Sequence, residues 1–173
     1  MRRLILFRHA KADARGPSGE DIDRPLSERG RNDATLMGRR LADDGLIPDL
    51  ALVSPSLRTQ ETWALAAAAF PEARTMVVDQ LYNAASEEIA EAVRAAAAEA
   101  ETIVVVAHNP GLQEHSINLL IDGGAAHADI EQVSARFPTS TAASFAIDDQ
   151  GRAALEGVRG PNYPARNPAG ASA

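Results

Sequence analysis

The chain has 173 residues, 45% of them hydrophobic and 24% charged. That is ordinary globular usage, which excludes wholesale disorder and collagen-like or coiled-coil classes and suits one compact domain over residues 1–173. Acidic residues outnumber basic ones 24 to 17, for a formal charge of -7, the wrong sign for a broad nucleic-acid surface; cysteine is absent, which removes disulfide scaffolds, thiolate zinc sites and every cysteine-nucleophile mechanism.

In chain order, Leu4, Ile5, Leu6 and Phe7 form an apolar run that reads as a strand buried on both faces, ending in Arg8-His9. Ala34, Met37 and Leu41 then fall at helical spacing over residues 27–44, with Ser27 as N-cap and Gly45 as stop. A short strand over 50–53 is followed by Ser54 as cap, Pro55 at the first helical position and a helix to about Phe70. Residues 75–78 read as a strand and 86–100 as a helix. Residues 102–107 form another strand running into His108, with Asn109 as cap and Pro110 opening a helix to about Ile121. Residues 142–147 and 153–158, joined through Asp149-Gln150-Gly151, predict a hairpin on the sheet edge. Residues 161–173 read as a wrap or frayed end. Strand alternating with helix predicts an α/β chain with a mostly parallel sheet covered on both faces, and no apolar stretch approaches the roughly 20 residues of a membrane span, so no membrane partner and a cytoplasmic location are expected.

In such sheets ligands sit beyond the carboxyl ends of the strands. Three of those ends carry Arg8-His9, Arg58 in the first turn of a helix, and His108. If these strands are neighbours, two guanidinium groups, two imidazoles and two helix N-termini converge on a volume suited to a dianion, and phosphate is the reading. An imidazole facing phosphorus is also a nucleophile, so His9 is expected to form a covalent phosphohistidine while His108 steadies the transferring group.

Leu6-Phe7-Arg8-His9-Ala10-Lys11 resembles the opening motif of the histidine phosphatase superfamily. Ser54-Pro55-Ser56-Leu57-Arg58-Thr59-Gln60-Glu61-Thr62 is similar to its second motif, and Val104-Val105-Val106-Ala107-His108-Asn109-Pro110 to its third. With Asp23-Arg24-Pro25-Leu26-Ser27-Glu28-Arg29-Gly30 and the small size, these resemble the compact SixA-like phosphohistidine phosphatases. The resemblance implies a three-layer α/β/α sandwich of the phosphoglycerate mutase-like kind and a pocket of Arg8, His9, Arg58 and His108; beside that pocket, Asn109 is a further phosphate-binding candidate, and Lys11 either reaches the phosphate or is simply solvated. It implies neither metal nor cofactor, and as partner either a phosphorylated protein of the histidine phosphotransfer type or a small phosphoester.

Two positions depart from the motifs. Ala10 stands where the family has glycine. Asn83 stands in Leu81-Tyr82-Asn83 where larger members carry an acidic general acid, and an amide supplies no proton. Glu87, Asp21 and Asp23 are the remaining acid candidates, though Asp21-Ile22-Asp23 reads first as loop polarity and Arg24 as the partner of an aspartate. A missing acid favours phosphohistidine, whose ring departs as neutral imidazole, over alkyl phosphates that must expel an alkoxide. His115 and His127 read as structural or surface groups. The competing readings are a small-molecule phosphomonoesterase, a non-catalytic phosphate-binding module kept open by Ala10 and Asn83, and a metal hydrolase disfavoured by the lack of any helical histidine pair.

Overall fold

The structure, a computed structural model, describes residues 1–163; the expectation for the tail falls largely outside them. Six strands form one sheet in the order β3-β2-β4-β1-β5-β6, with β1 at Arg3–Arg8, β2 at Leu50–Val53, β3 at Arg74–Val77, β4 at Thr102–Ala107, β5 at Ala142–Ile147 and β6 at Ala153–Arg159. The first four run parallel, and β5 and β6 add the hairpin antiparallel on the β1 side. The strands bearing the candidate residues, β2, β4 and β1, are adjacent, as the convergence requires.

Alternation along the strands divides the core into two layers. Ile5, Phe7, Ala51, Val53, Val104 and Val106 pack with Met37 and Leu41 of α1 (Glu28–Asp43) and with Trp63 and Ala66 of α2 (Leu57–Ala66). Leu4, Leu6, Leu50, Leu52, Ile103 and Val105 face the other way. There they meet Ile89 and Val93 of α3 (Ser86–Ala96), Leu112 and Leu120 of α4 (Gly111–Asp122), and Val133 of α5 (His127–Ala135). The expected α/β/α sandwich with helices on both faces is therefore present. Among the described residues no helix is long and apolar enough to cross a membrane.

Several local expectations need correction. Ser54 does not cap α2: its hydroxyl is held by His108 and its carbonyl by Thr59, so the helix starts later, with Ser56 at the cap position. Asn109 does not cap α4; its amide donates to Gln113 and to the Phe137 carbonyl, and Pro110 stands at the cap position. Helix α3 stops at Ala96 instead of running to residue 100; the Glu99 amide closes a turn on the Ala96 carbonyl and the Met1 ammonium takes that of Ala97. A further helix, α5, opens at His127. That helix buries only Val133 completely, too faint a stripe to stand out in the sequence.

Two glycines bring helix ends against the loops around the site. A Cβ on Gly30 would lie 2.0 Å from the Lys11 carbonyl, and one on Gly111 1.9 Å from that of Ala84. Any larger residue would push α1 or α4 away from the loops that frame the site. Ser27 completes the first contact: its hydroxyl accepts from the Gly30 amide and donates to the Lys11 carbonyl.

Candidate active site

The backbone around His9 is pinned from both sides. Its amide donates to the Ala107 carbonyl at the end of β4, and its carbonyl accepts from Ser140, a residue at φ 63°. Ala10 follows, fully buried and with a negative φ, so the departure from glycine strains nothing. Its amide donates to Thr62 Oγ1 at 2.9 Å, and that hydroxyl donates to the Arg58 carbonyl at 2.6 Å. One threonine thus fastens the residue after His9 to the turn of α2 that carries Arg58. Thr59 likewise binds the Ser54 carbonyl at 2.8 Å, and Glu61 takes the Leu26 amide at 2.6 Å. The spaced polar letters of the second motif are the joints between α2 and its surroundings.

His9 and His108 lie with ring centroids 5.2 Å apart. Nδ1 of His9 is 2.7 Å from the Ala10 carbonyl, which only accepts, so Nδ1 carries the proton and Nε2 keeps a free lone pair. Burial pushes the His9 pKa down to about 4, with the charges of Arg58, Arg8 and Arg24 adding and the bond to Ala10 opposing. The ring is neutral at physiological pH. His108 is buried, and its Nδ1 is 3.3 Å from Arg58 Nη2, which can only donate; Nε2 therefore holds the proton and donates to Ser54 Oγ at 2.8 Å. Burial first, then His9 and Arg58, push His108 down to about 3.

Arg8 donates from Nη1 to the Phe137 carbonyl at 2.7 Å, while its Nε is buried without a partner. Asn109 donates to the same carbonyl at 3.1 Å and leaves its Oδ1 buried and unpaired. Lys11 is exposed, and it is its carbonyl that meets Ser27. His9, Arg8, Arg58, His108 and Asn109 are thus brought together, whereas the Lys11 ammonium is not tied to them.

Three further residues join them. Ser54 read as a helix cap and is a partner of His108. Tyr82 stands edge-on to His108 at 5.8 Å. Asp21 read as loop polarity, yet its Oδ2 accepts from Arg58 Nη2 and from the Tyr82 hydroxyl, both at 2.9 Å, and its carbonyl accepts from Arg58 Nη1 at 2.6 Å. Arg24 pairs with Asp21 Oδ1 at 2.8 Å, the aspartate pairing expected of it. The hydrogen bond from Arg24, followed by those from Tyr82 and Arg58, holds the Asp21 carboxyl well below the usual carboxylate range, so Asp21 is an anion and not a proton donor. Asp23 Oδ2 is held by the Ser18 amide, and Glu87 is exposed in the first turn of α3. Asn83 is exposed at φ 52°, a left-handed conformation that asparagine tolerates.

Among the described residues no group of three or more His, Asp or Glu is placed to hold a metal ion. A cavity of about 660 Å³ lined by Met1, Arg94, Leu119 and His115 opens at the opposite end of β1, far from the strand ends that gather the arginines. His115 is buried there within α4, pushed down to about 4 by that burial, in keeping with its structural reading.

The comparisons with known proteins agree with this geometry. The model of the histidine phosphatase superfamily (branch 1) matches residues 4–83. An uncharacterised protein of Mycobacterium tuberculosis is 32% identical over 90% of this chain and 99% of its own. A crystal structure from Agrobacterium tumefaciens, provisionally described as the phosphohistidine phosphatase SixA, superposes with a TM-score of 0.80 at 29% identity, covering 92% of this chain and 99% of that one. A phosphoglycerate mutase of Plasmodium falciparum shares the fold, with a TM-score of 0.63 at 18% identity over 90% of this chain and 88% of that one. Motifs, fold and relatives converge: the chain belongs to the histidine phosphatase superfamily, in its SixA-like group.

Proposed function

We propose that the protein is a phosphohistidine phosphatase that works through a covalent phosphohistidine on His9, without metal or cofactor, on a phosphorylated protein of the histidine phosphotransfer type, in the cytoplasm. The observation that carries this reading is the tautomer of His9. Its Nδ1–H is committed to the Ala10 carbonyl, and the unprotonated Nε2 shares a pocket with two arginines. An imidazole kept neutral by burial is ready to attack without first losing a proton.

In the first step Nε2 of His9 forms a bond to phosphorus while the substrate's P–N bond breaks, the electron pair leaving on the departing ring. Because Nδ1–H stays on the Ala10 carbonyl, the product on His9 is a phosphoimidazolium, itself a good leaving group. In the second step water attacks phosphorus, His9 leaves as neutral imidazole, and the proton of the water ends on the released phosphate. The Arg8 Nε, buried and unpaired, is a donor for a phosphoryl oxygen; the Asn109 Oδ1, likewise unpaired, suits a protonated one. His108, bonded to Ser54 and Arg58 through its two ring nitrogens, orients Arg58 and walls the pocket beside His9.

The substrate class follows from the acid candidates. Asp21 is ionised, Asn83 is an amide, and Asp23 and Glu87 are engaged or exposed elsewhere. A ring already protonated on its far nitrogen needs no acid, since imidazole departs with a conjugate acid of pKa about 6.5, whereas an alkoxide needs a proton. Turnover of a phosphohistidine protein, compared with that of an alkyl phosphate, tests the reading. It requires faster turnover of the phosphohistidine; an alkyl phosphate turned over faster would overturn it.

A further inference from the structure

We infer that Asp21 selects the leaving group: its carboxylate accepts the ring N–H of a phosphoimidazolium at the rim of the pocket and disfavours leaving groups that are neutral or anionic. The inference rests on the phosphatase reading above and assigns that reaction a specificity residue.

The position of Asp21 needs an explanation. Its side chain is 47% exposed, while that of Arg58, which it touches, is 5% exposed. The carboxylate therefore marks the boundary between the buried phosphoryl-binding groups and the solvent from which a substrate arrives. A pocket built only to hold a dianion gains nothing from a full negative charge against its most buried cation, because the pair cancels attraction for every phosphoryl compound alike. The charge is useful if it separates one leaving group from another.

The hydrogen-bond count leaves room for such a role. A carboxylate offers about four lone-pair positions. Arg58 and Tyr82 take two on Oδ2 and Arg24 takes one on Oδ1. One position on Oδ1 remains, on the exposed carboxylate. The group is locked in place by three donors, so little reorganisation is needed when a fourth arrives. Tyr82, bonded to the same carboxylate and edge-on to His108, supplies an aromatic wall beside which a flat ring can lie. Arg24 and Arg58 face the same carboxylate and repel a cation, which is why the selection comes from a directed hydrogen bond and not from bulk charge.

The bond changes need no additional reactant. The P–N bond of the substrate breaks as the bond from His9 Nε2 to phosphorus forms, and the electron pair goes to the nitrogen that bore phosphorus. The other ring nitrogen keeps its proton against Asp21, and the ring leaves as neutral imidazole. An alkoxide gains nothing from Asp21, and a leaving group bearing its own carboxylate is repelled by it.

The test compares wild type, Asp21→Asn and Asp21→Glu on phosphoimidazole, p-nitrophenyl phosphate and 3-phosphoglycerate. Asp21→Asn should lower kcat/KM for phosphoimidazole roughly tenfold or more, the scale of one charge-assisted hydrogen bond. The two esters should lose far less than phosphoimidazole, so that the ratio between substrates falls, and Asp21→Glu should restore part of that ratio. If all three substrates change by one common factor in Asp21→Asn, whether up or down, the inference falls, Asp21 then being only a prop or a shield for Arg58. If wild type labels His9 from no substrate, it is the phosphatase reading that falls.

Discussion

The hydroxyl oxygen of Ser54 lies 2.8 Å from Nε2 of His108, and because Arg58 can only donate to the other ring nitrogen, Nε2 bears the hydrogen and Ser54 accepts it. Both partners are buried. Ser54→Ala removes the acceptor and leaves a buried N–H unsatisfied, while Arg58 still holds the other ring nitrogen as an acceptor. Stability should fall by about 1–3 kcal/mol in urea denaturation. kcat should fall tenfold or more with little change in KM, and nitrogen NMR should still show the proton of His108 on Nε2, held there by Arg58.

Arg8 and Arg58 present planar forks, and Arg8 holds back an unpaired Nε. A lysine in either place keeps the charge and loses the fork. Arg8→Lys and Arg58→Lys should each reduce kcat/KM by about 10²–10³, the range seen when one oriented donor to a developing charge is lost. Inorganic phosphate or vanadate should raise the Tm of wild type through mass action and have a much smaller effect on Arg8→Lys. Equal Tm shifts in the two proteins would remove Arg8 from the anion site.

Acid should destabilise the fold early. His9, His108 and His115 are held at about 4, 3 and 4, chiefly by burial. At pH values well above about 6.5, the ordinary imidazole pKa, folded and unfolded chains both carry these rings neutral, and they contribute nothing. As pH falls from there to about 4, the unfolded chain binds protons that the folded one refuses, so stability falls with pH through that window. Asp21, held low, adds a loss in the same direction below its ordinary value. Urea midpoints at pH 8, 6, 5 and 4 should decline steadily below 6.5, and a flat profile down to pH 4.5 would contradict the burial of these rings.

Asn83→Glu supplies the carboxylic acid that larger family members have at this point. The side chain of Asn83 adjoins the Tyr82 hydroxyl. Hydrolysis of alkyl phosphates should rise, up to the 10²-fold scale of general acid catalysis, while phosphoimidazole hydrolysis changes little. The left-handed φ of 52° makes the variant less stable by roughly 1–2 kcal/mol, since glutamate lacks the tolerance of asparagine for that conformation.

How much of this was legible in the sequence depends on the range of each interaction. The apolar run 4–7 and the charged pair after it, Arg58 two residues into a helix, and His108 at the end of a valine-rich strand are local patterns, and sheet order alone brings them together. Ser54 was misread because a serine before Pro55 has the same local appearance whether it caps a helix or meets a histidine 54 residues away. Asp21 was misread for a similar reason. Its segment is mostly polar, glycine and proline, with nothing local to mark one aspartate, and only the tertiary path that brings Leu26 onto Glu61 and the Lys11 carbonyl onto α1 swings it to Arg58. Helix α5 left too little apolar pattern to announce itself, with Val133 its one fully buried side chain.

The account depends most directly on phosphorus becoming bonded to the ring of His9. Rapid acid-free quenching during turnover of a radiolabelled phosphohistidine protein, followed by peptide mapping, should find up to one phosphoryl group per chain, labile to acid and stable to alkali, on the peptide containing His9. His9→Ala should show neither label nor turnover. Undiminished turnover by that variant, or label on a different residue, would contradict the account.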